Sequence, residues 1–130
     1  MAVFSYAVGL FLMIGSDAQK YFILENKKGL ISSGFFGRTR NPNYLGEILI
    51  YFSFGVVCES TAAWIMLGTI WVVAFWTRMV AKDVSLKRRK EFQEYEKHSY
   101  LLFPKLFEEN LLNAGFYAAV FVVCFATWLI

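Results

Sequence analysis

Arg38-Thr39-Arg40-Asn41-Pro42-Asn43-Tyr44-Leu45-Gly46-Glu47 is the stretch on which the fold turns, because a basic, polar connection becomes an apolar helix within it. Asn41 is a good N-cap residue, and Pro42 suits the first helical position, where its missing N–H leaves no bond unmade. The pattern predicts a helix that starts here and runs through Val57, with Glu47 the only charge between Tyr44 and Val57. Its free N–H groups and dipole favour an anion, and Arg38 and Arg40 stand just outside that end. Asn43 and Glu47 are four apart with Tyr44 beside them, so the three share one stripe of the helix. An acid one turn inside an apolar span marks a functional site by default. Each feature alone also fits a plain helix start, with Glu47 as a structural partner of Arg78.

Outward from this helix, three more apolar segments appear. Met1 to Ile14 is too short to span unless its helix continues through Ser16, Asp17, Ala18, Gln19 and Lys20 toward Leu24. Ala62 to about Val80 carries Trp64, Trp71 and Trp76, and Leu111 to Ile130 reads as a plain spanning helix. The chain is 58% hydrophobic and 19% aromatic, and its 14 phenylalanines crowd into these segments while the charges sit in two blocks. Lipid is therefore the better solvent. The expected fold is all-α: an integral membrane helical bundle of about four membrane helices plus a basic amphipathic surface helix.

All 13 Lys and Arg fall in the first and third connections, from Lys20 to Arg40 and from Arg78 to Lys105. The turn Cys58-Glu59-Ser60-Thr61 has none. If all segments span, both basic connections lie on one side, and the positive-inside rule makes that side cytoplasmic or matrix. Asp17, Asn43, Glu47, Arg78 and Asp83 fall at this same face, which predicts a shared polar cavity with Arg78 approaching Glu47 or a bound phosphate.

The block Lys87-Arg88-Arg89-Lys90 is flanked by Glu91, Glu94 and Glu96, and the net charge is only +3. It reads as a solvated membrane-surface helix rather than a nucleic-acid patch, with Phe92 and Tyr95 resting on the interface. Cys58 and Cys124 read as small buried hydrophobes, and the lone His98 has no second ligand near it, so no metal site is expected. No Gly-rich phosphate loop is present.

Asn-Pro-Asn-Tyr-Leu-Gly-Glu at 41–47 resembles the Arg-His-Pro-Asn-Tyr-x-Gly-Glu signature of the steroid 5-alpha-reductase C-terminal domain family. The resemblance extends through Ser16-Asp17-Ala18-Gln19-Lys20, Gly34-Phe35-Phe36, Lys82-Asp83 and Phe92-Gln93-Glu94-Tyr95, ending at Leu102-Phe103-Pro104. It implies a reductase-like membrane domain over 1–107 and an additional C-terminal transmembrane helix over 108–130. It further implies a reductase that takes hydride from NADPH for the double bond of a steroid or lipid. Asp17, Asn43, Tyr44, Glu47 and Arg78 would contact the dinucleotide, with Lys28, Arg38 and Arg40 as phosphate candidates on charge alone. No catalytic residue is assigned.

Related isoprenylcysteine and phospholipid methyltransferases share part of the signature and use S-adenosylmethionine. Here Asn41 replaces their histidine, which ranks methyl transfer lower. Family reductases carry more membrane helices upstream and stop near Pro104. The departures at both ends raise a further alternative, a non-catalytic accessory subunit packed against other membrane protein subunits as well as lipid. The endoplasmic reticulum and the mitochondrial inner membrane are the expected hosts. On that alternative the last helix docks, through the aromatics Phe116, Tyr117, Phe121, Phe125 and Trp128 and the small residues Gly115, Ala118 and Ala119.

Overall fold

The apolar segments become helices in the computed structural model, which describes the backbone of residues 1–129 and the side chains of residues 1–123. In chain order these are α1 (Ala2–Asn26), α2 (Pro42–Cys58), α3 (Thr61–Ile70), α4 (Thr77–Leu86), α5 (Phe92–His98) and α6 (Asn110–Leu129). A π-helical stretch, Trp71–Trp76, joins α3 to α4, so Thr61–Leu86 is one uninterrupted rod of 26 residues. Among the described residues the sole β pairing is an isolated parallel bridge, Thr39 with Tyr100.

The 25-residue α1 and the α3–α4 rod are long and apolar enough to cross a membrane. Helix α2 has 17 residues, about 25 Å at 1.5 Å each, which falls short of a ~30 Å hydrocarbon core. Among the described residues two helices thus meet the requirement, where four segments were expected. The polar turn of the first segment is continuous with its helix, because Ser16 is fully buried and returns its hydroxyl to Met13 O. Phe125, Trp128 and Cys124 lie outside the described side chains.

Beside a small apolar core of Phe36, Leu45, Leu67, Phe75, Met79, Phe92 and Tyr95, large apolar side chains cover the surface and polar ones are buried. Val3, Phe4, Phe11 and Val72 are 67–83% exposed, while Arg40, Asn41, Asp83, Ser99 and Asn113 are buried. Apolar outside and hydrogen-bonded polar inside is the arrangement that hydrocarbon solvent favours. It fits a helical membrane protein.

Helices α1 and α2 run antiparallel and touch backbone to backbone. A Cβ on Gly46 would lie 2.6 Å from both Gly9 O and Met13 N, and one on Gly9 would lie 2.6 Å from Gly46 O. Small residues let helices approach this closely where lipid offers no hydrophobic drive between them. Ser5 Oγ donates to Leu49 O at 2.9 Å across the same interface. The turn into α3 is tight, with Glu59 in the left-handed region at φ 49°.

The connection after α1 folds back on that helix. Gln19 Nε2 donates to Ser33 O at 2.8 Å, and its Oε1 accepts from Phe35 N at 2.9 Å. The loop turns at Gly34, whose φ of +59° suits glycine. This contact joins two of the motif pieces, Gln19 and Gly34-Phe35-Phe36.

The basic surface helix does not form as expected. Residues 87–91 are turns, and α5 has only seven residues. Phe92 and Tyr95 are 1% and 6% exposed, packed into the protein rather than laid on an interface. Arg40 covers the Phe92 ring, and the Tyr95 hydroxyl bonds to Phe36 O. Helix α6 is held through its first two turns. Asn113 accepts from Leu106 N and Phe107 N and donates to Phe107 O and Glu109 O, while Phe103 packs on Tyr117.

Gly46→Ala is expected to destabilise the chain by about 1–3 kcal/mol, because the methyl meets backbone that cannot yield. Gly68, where nothing lies within 4 Å of an added Cβ, is the control. Gly68→Ala should be neutral or stabilising by about 0.5–1 kcal/mol. Thermal unfolding of both variants in the same detergent compares them. Equal effects would exclude the close crossing.

Candidate functional site

The connection 38–41 is the centre of a buried polar knot. Arg40 Nε and Nη2 grip Asp83 Oδ1 and Oδ2 at 2.8 and 3.1 Å, and Nη1 donates to Ser99 O at 2.7 Å. Their side chains are 9% and 12% exposed. A fork-on-carboxylate pair of this kind fixes both position and angle. The ring of Phe92 covers the guanidinium, 5.7 Å from its centroid.

Around this pair the backbone closes. Arg40 N donates to Tyr100 O, Tyr100 N and Lys105 N donate to Arg38 O, and Thr39 Oγ1 donates to Leu102 O. Tyr95 Oη donates to Phe36 O at 2.6 Å. Burial pushes the Tyr95 phenol up to about 12, so it remains a donor at any ordinary pH.

Asn41 occupies the N-cap position of α2 as expected, but its side chain caps nothing. Its Nδ2 donates to Leu101 O at 2.8 Å, and its Oδ1 accepts from Lys82 Nζ at 2.9 Å. The long-range knot takes the amide that a local cap would have used. The N-terminus of α2 is thereby tied to α4 and to the segment after α5.

Two phosphate candidates are therefore engaged with the chain itself. Arg40 spends its fork on Asp83 and Ser99, and Arg38 Nη1 donates to Lys105 O and Leu106 O at 3.0 and 2.8 Å. The third, Lys28, lines a separate surface cleft of about 760 Å³ with Lys27, Ser33, Glu91, Glu94 and His98. Asp83, expected in the polar cavity, is held in the knot instead.

The other predicted residues form a second group. Tyr44, Asn43 and Glu47 are half-buried on the first turns of α2, while Asp17 and Arg78 are exposed. Asp17 and Arg78 are the charged groups that act electrostatically on Glu47. Among the described residues no ion pair joins Glu47 to Arg78, so the group is an open face and not a closed salt bridge. Tyr44 packs at a tilt of 44° against Phe75 of the π-helical stretch, with centroids 5.3 Å apart.

Asn43 Oδ1 is buried and has no hydrogen-bond partner, as is Trp71 Nε1 in the π-helical stretch. A buried acceptor left unpaired costs about 1–3 kcal/mol. A π-helical stretch is itself a frequent companion of functional sites. The face thus offers two carboxylates and a guanidinium without an ion-pair partner, with a buried orphan acceptor on the first turn of α2 behind them.

Sequence reasoning missed the roles of Lys82, Ser99, Tyr95 and Asn113. Each acts through a contact to a backbone carbonyl or amide, and residue type alone carries no signal of such a partner. The Lys82-Asp83 pair was visible as a motif piece, without its partners.

Fold and knot together define a helical membrane-type protein whose two basic connections are stitched into one end. The chain belongs to the DUF1295 family, described as a protein of unknown function, whose family model matches residues 1–99. That family is related to steroid 5-alpha-reductase-like membrane proteins. No curated protein and no solved structure gives a significant match to the chain.

Asp83→Asn and Arg40→Met are each expected to destabilise the fold by about 3–5 kcal/mol, since either leaves a buried charge alone. The double variant Arg40→Met/Asp83→Leu should recover a large part of that loss. Arg38→Met, at an exposed residue, should cost only about 1 kcal/mol. Unfolding midpoints in detergent measure all four. Additive losses in the double variant would contradict the pairing.

Proposed function

We propose that the chain carries the dinucleotide-binding half of an NADPH-dependent reductase of steroids or lipids, with Asp17, Asn43, Tyr44, Glu47 and Arg78 as its cofactor face. The orphaned acceptor of Asn43 carries this reading. A bound amide or hydroxyl donor would satisfy it, and nothing in the chain does. Glu47 and Asp17 offer further acceptors for ribose hydroxyls or a carboxamide, and Arg78 offers charge for a phosphate.

NADPH, when bound, supplies the hydride for an enone or enoyl double bond. The chain's own part is to hold the dinucleotide at the basic end of α2 and to keep Tyr44 oriented through Phe75. Arg38, Arg40 and Lys28 stand apart from this face, and the fit holds without them.

A second reading, an accessory subunit of a larger membrane complex, rests on α6. Leu111, Phe121 and Val122 are 67–82% exposed on a helix whose contacts, among the described side chains, lie in its first two turns. Such a helix suits packing against another membrane protein. The host would be the endoplasmic reticulum or the mitochondrial inner membrane, with the basic end on the cytoplasmic or matrix side.

NADPH binding to the purified chain, followed by nicotinamide fluorescence, tests the first reading. Glu47→Gln should weaken binding on the order of tenfold or more, the loss of one charge-assisted hydrogen bond. Asn43→Leu should abolish the orphan, leaving stability equal or higher while binding falls. A stable chain that ignores NADPH and is recovered only with partner subunits would favour the accessory reading. Cysteines introduced at Ser60 and Ser85 should label from opposite sides of a sealed membrane, and labelling from one side would refute the orientation.

A further inference from the structure

The side of α2 that carries Asn43 and Glu47 continues past Glu47. Tyr51 and Phe54 follow at spacings of four and three, so the four residues share one side of the helix. Polar groups occupy the basic end of this stripe and aromatic rings its deeper end. Tyr51 and Phe54 are 40% and 53% exposed, and Tyr6 of α1 packs edge to face with Phe54, with centroids 5.9 Å apart. A ligand seated at Glu47 thus meets an open aromatic track that leads into hydrocarbon.

Tyr51 brings a hydrogen-bond donor to that track. Its ring lies 6.3 Å from Phe75, the ring that Tyr44 also packs against. Tyr95, Tyr100 and Tyr117 each donate to a partner in the chain. Among the described residues the Tyr51 hydroxyl makes no hydrogen bond, and at this depth there is no bulk water to satisfy it. Trp71 Nε1 is unpartnered too, but it is buried and closed to a ligand. Tyr6 stands beside Phe54, about 10 Å past Glu47 along the helix, against about 6 Å for Tyr51. Tyr51 is therefore the reachable donor nearest to Glu47 on the hydrocarbon side.

Hydride addition to a carbon–carbon double bond displaces an electron pair, which needs a place to go. In a conjugated ketone it moves to the carbonyl oxygen, and a donor aimed at that oxygen lowers the barrier. A hydroxyl suits this depth, because it carries no charge to desolvate. The donor must also stand close to the hydride source, since the oxygen lies near the carbon attacked. A donor one turn deeper than Glu47, beside an apolar track, meets both conditions.

We propose that Tyr51 Oη donates to the carbonyl oxygen of an enone substrate whose apolar body lies along Phe54 and Tyr6. The inference rests on the cofactor reading above and narrows it to conjugated ketones. The substrate takes a hydride at its β-carbon, and its double-bond pair moves to the oxygen as an enolate held by Tyr51. Water at the basic edge then returns a proton to the α-carbon, giving the saturated ketone and the oxidised dinucleotide. Tyr51 keeps its own proton throughout.

The full chain in detergent is given NADPH with progesterone, a conjugated enone, or with pregnenolone, whose double bond is isolated. Nicotinamide fluorescence reads cofactor binding, and NADPH oxidation reads turnover. Progesterone should be reduced and pregnenolone should not. Tyr51→Phe removes a hydroxyl that bonds to nothing in the chain, so its unfolding midpoint and NADPH affinity should match the wild type. Its kcat for progesterone should fall on the order of 100-fold, with KM changed far less. Phe54→Ala should instead raise KM and leave kcat nearly constant. A Tyr51→Phe chain as active as the wild type, equal reduction of both steroids, or the same loss at Tyr6→Phe in place of Tyr51 overturns the assignment. A wild-type chain that binds NADPH and leaves progesterone untouched overturns it while the cofactor reading stands. A chain that binds no NADPH removes the cofactor reading and this inference together.

Discussion

The Arg40–Asp83 pair is the constraint that the rest of the structure hangs on. It joins the connection before α2 to the end of the α3–α4 rod, two segments 43 residues apart. Ser99 then attaches the segment after α5 to the same guanidinium. A buried ion pair contributes little net stability over an apolar pair of equal volume, because desolvation offsets most of the Coulomb gain. Its contribution here is geometric: a planar fork on a carboxylate admits one arrangement, and Lys82 and Asn41 follow from it.

That geometry explains why the signature sequence divides into two halves. Arg38, Thr39, Arg40 and Asn41 turn into the knot and bond to the chain. Asn43, Tyr44 and Glu47, one turn further along α2, are left outside it. The helix N-terminus expected to receive an anion is enclosed by the chain's own groups. Cations without an ion pair among the described residues lie instead on α1, at Lys20, and in the turn after the rod, at Arg89.

The helices were legible in the sequence because a membrane-type segment announces itself by composition alone. Tyr44–Val57 and Ala62–Val80 needed no partner to be recognised, and Asn41-Pro42 marked a start at the correct residue. The span count was less legible, since α2 stops at Cys58 short of a full crossing. The fates of Phe92 and Tyr95 were hidden for a different reason. Their spacing suits an interfacial stripe equally well, and only Arg40 and the Phe36 carbonyl, more than 50 residues away, decide for burial. The open face at Asn43, Tyr44 and Glu47 was partly legible, as an acid in an apolar helix. Arg40 was misread as free because charge in a sequence does not reveal a counter-charge 43 positions on.

The glycine crossing links the fold to the face. Gly46 immediately precedes Glu47, and its close neighbour Met13 lies one turn, about 6 Å, before Asp17. The distance between the two helix axes therefore sets how near Asp17 comes to Glu47. Two carboxylates at the edge of an apolar span repel each other, and Arg78 on α4 stands as the compensating charge. A side chain larger than hydrogen at position 46 would separate α1 from α2, carry Asp17 away and leave Glu47 with Arg78 alone. The face can then collapse into a closed ion pair. The close backbone contact therefore sets the spacing of the three charges, and Gly9 and Gly46 shape this face as much as the acids do.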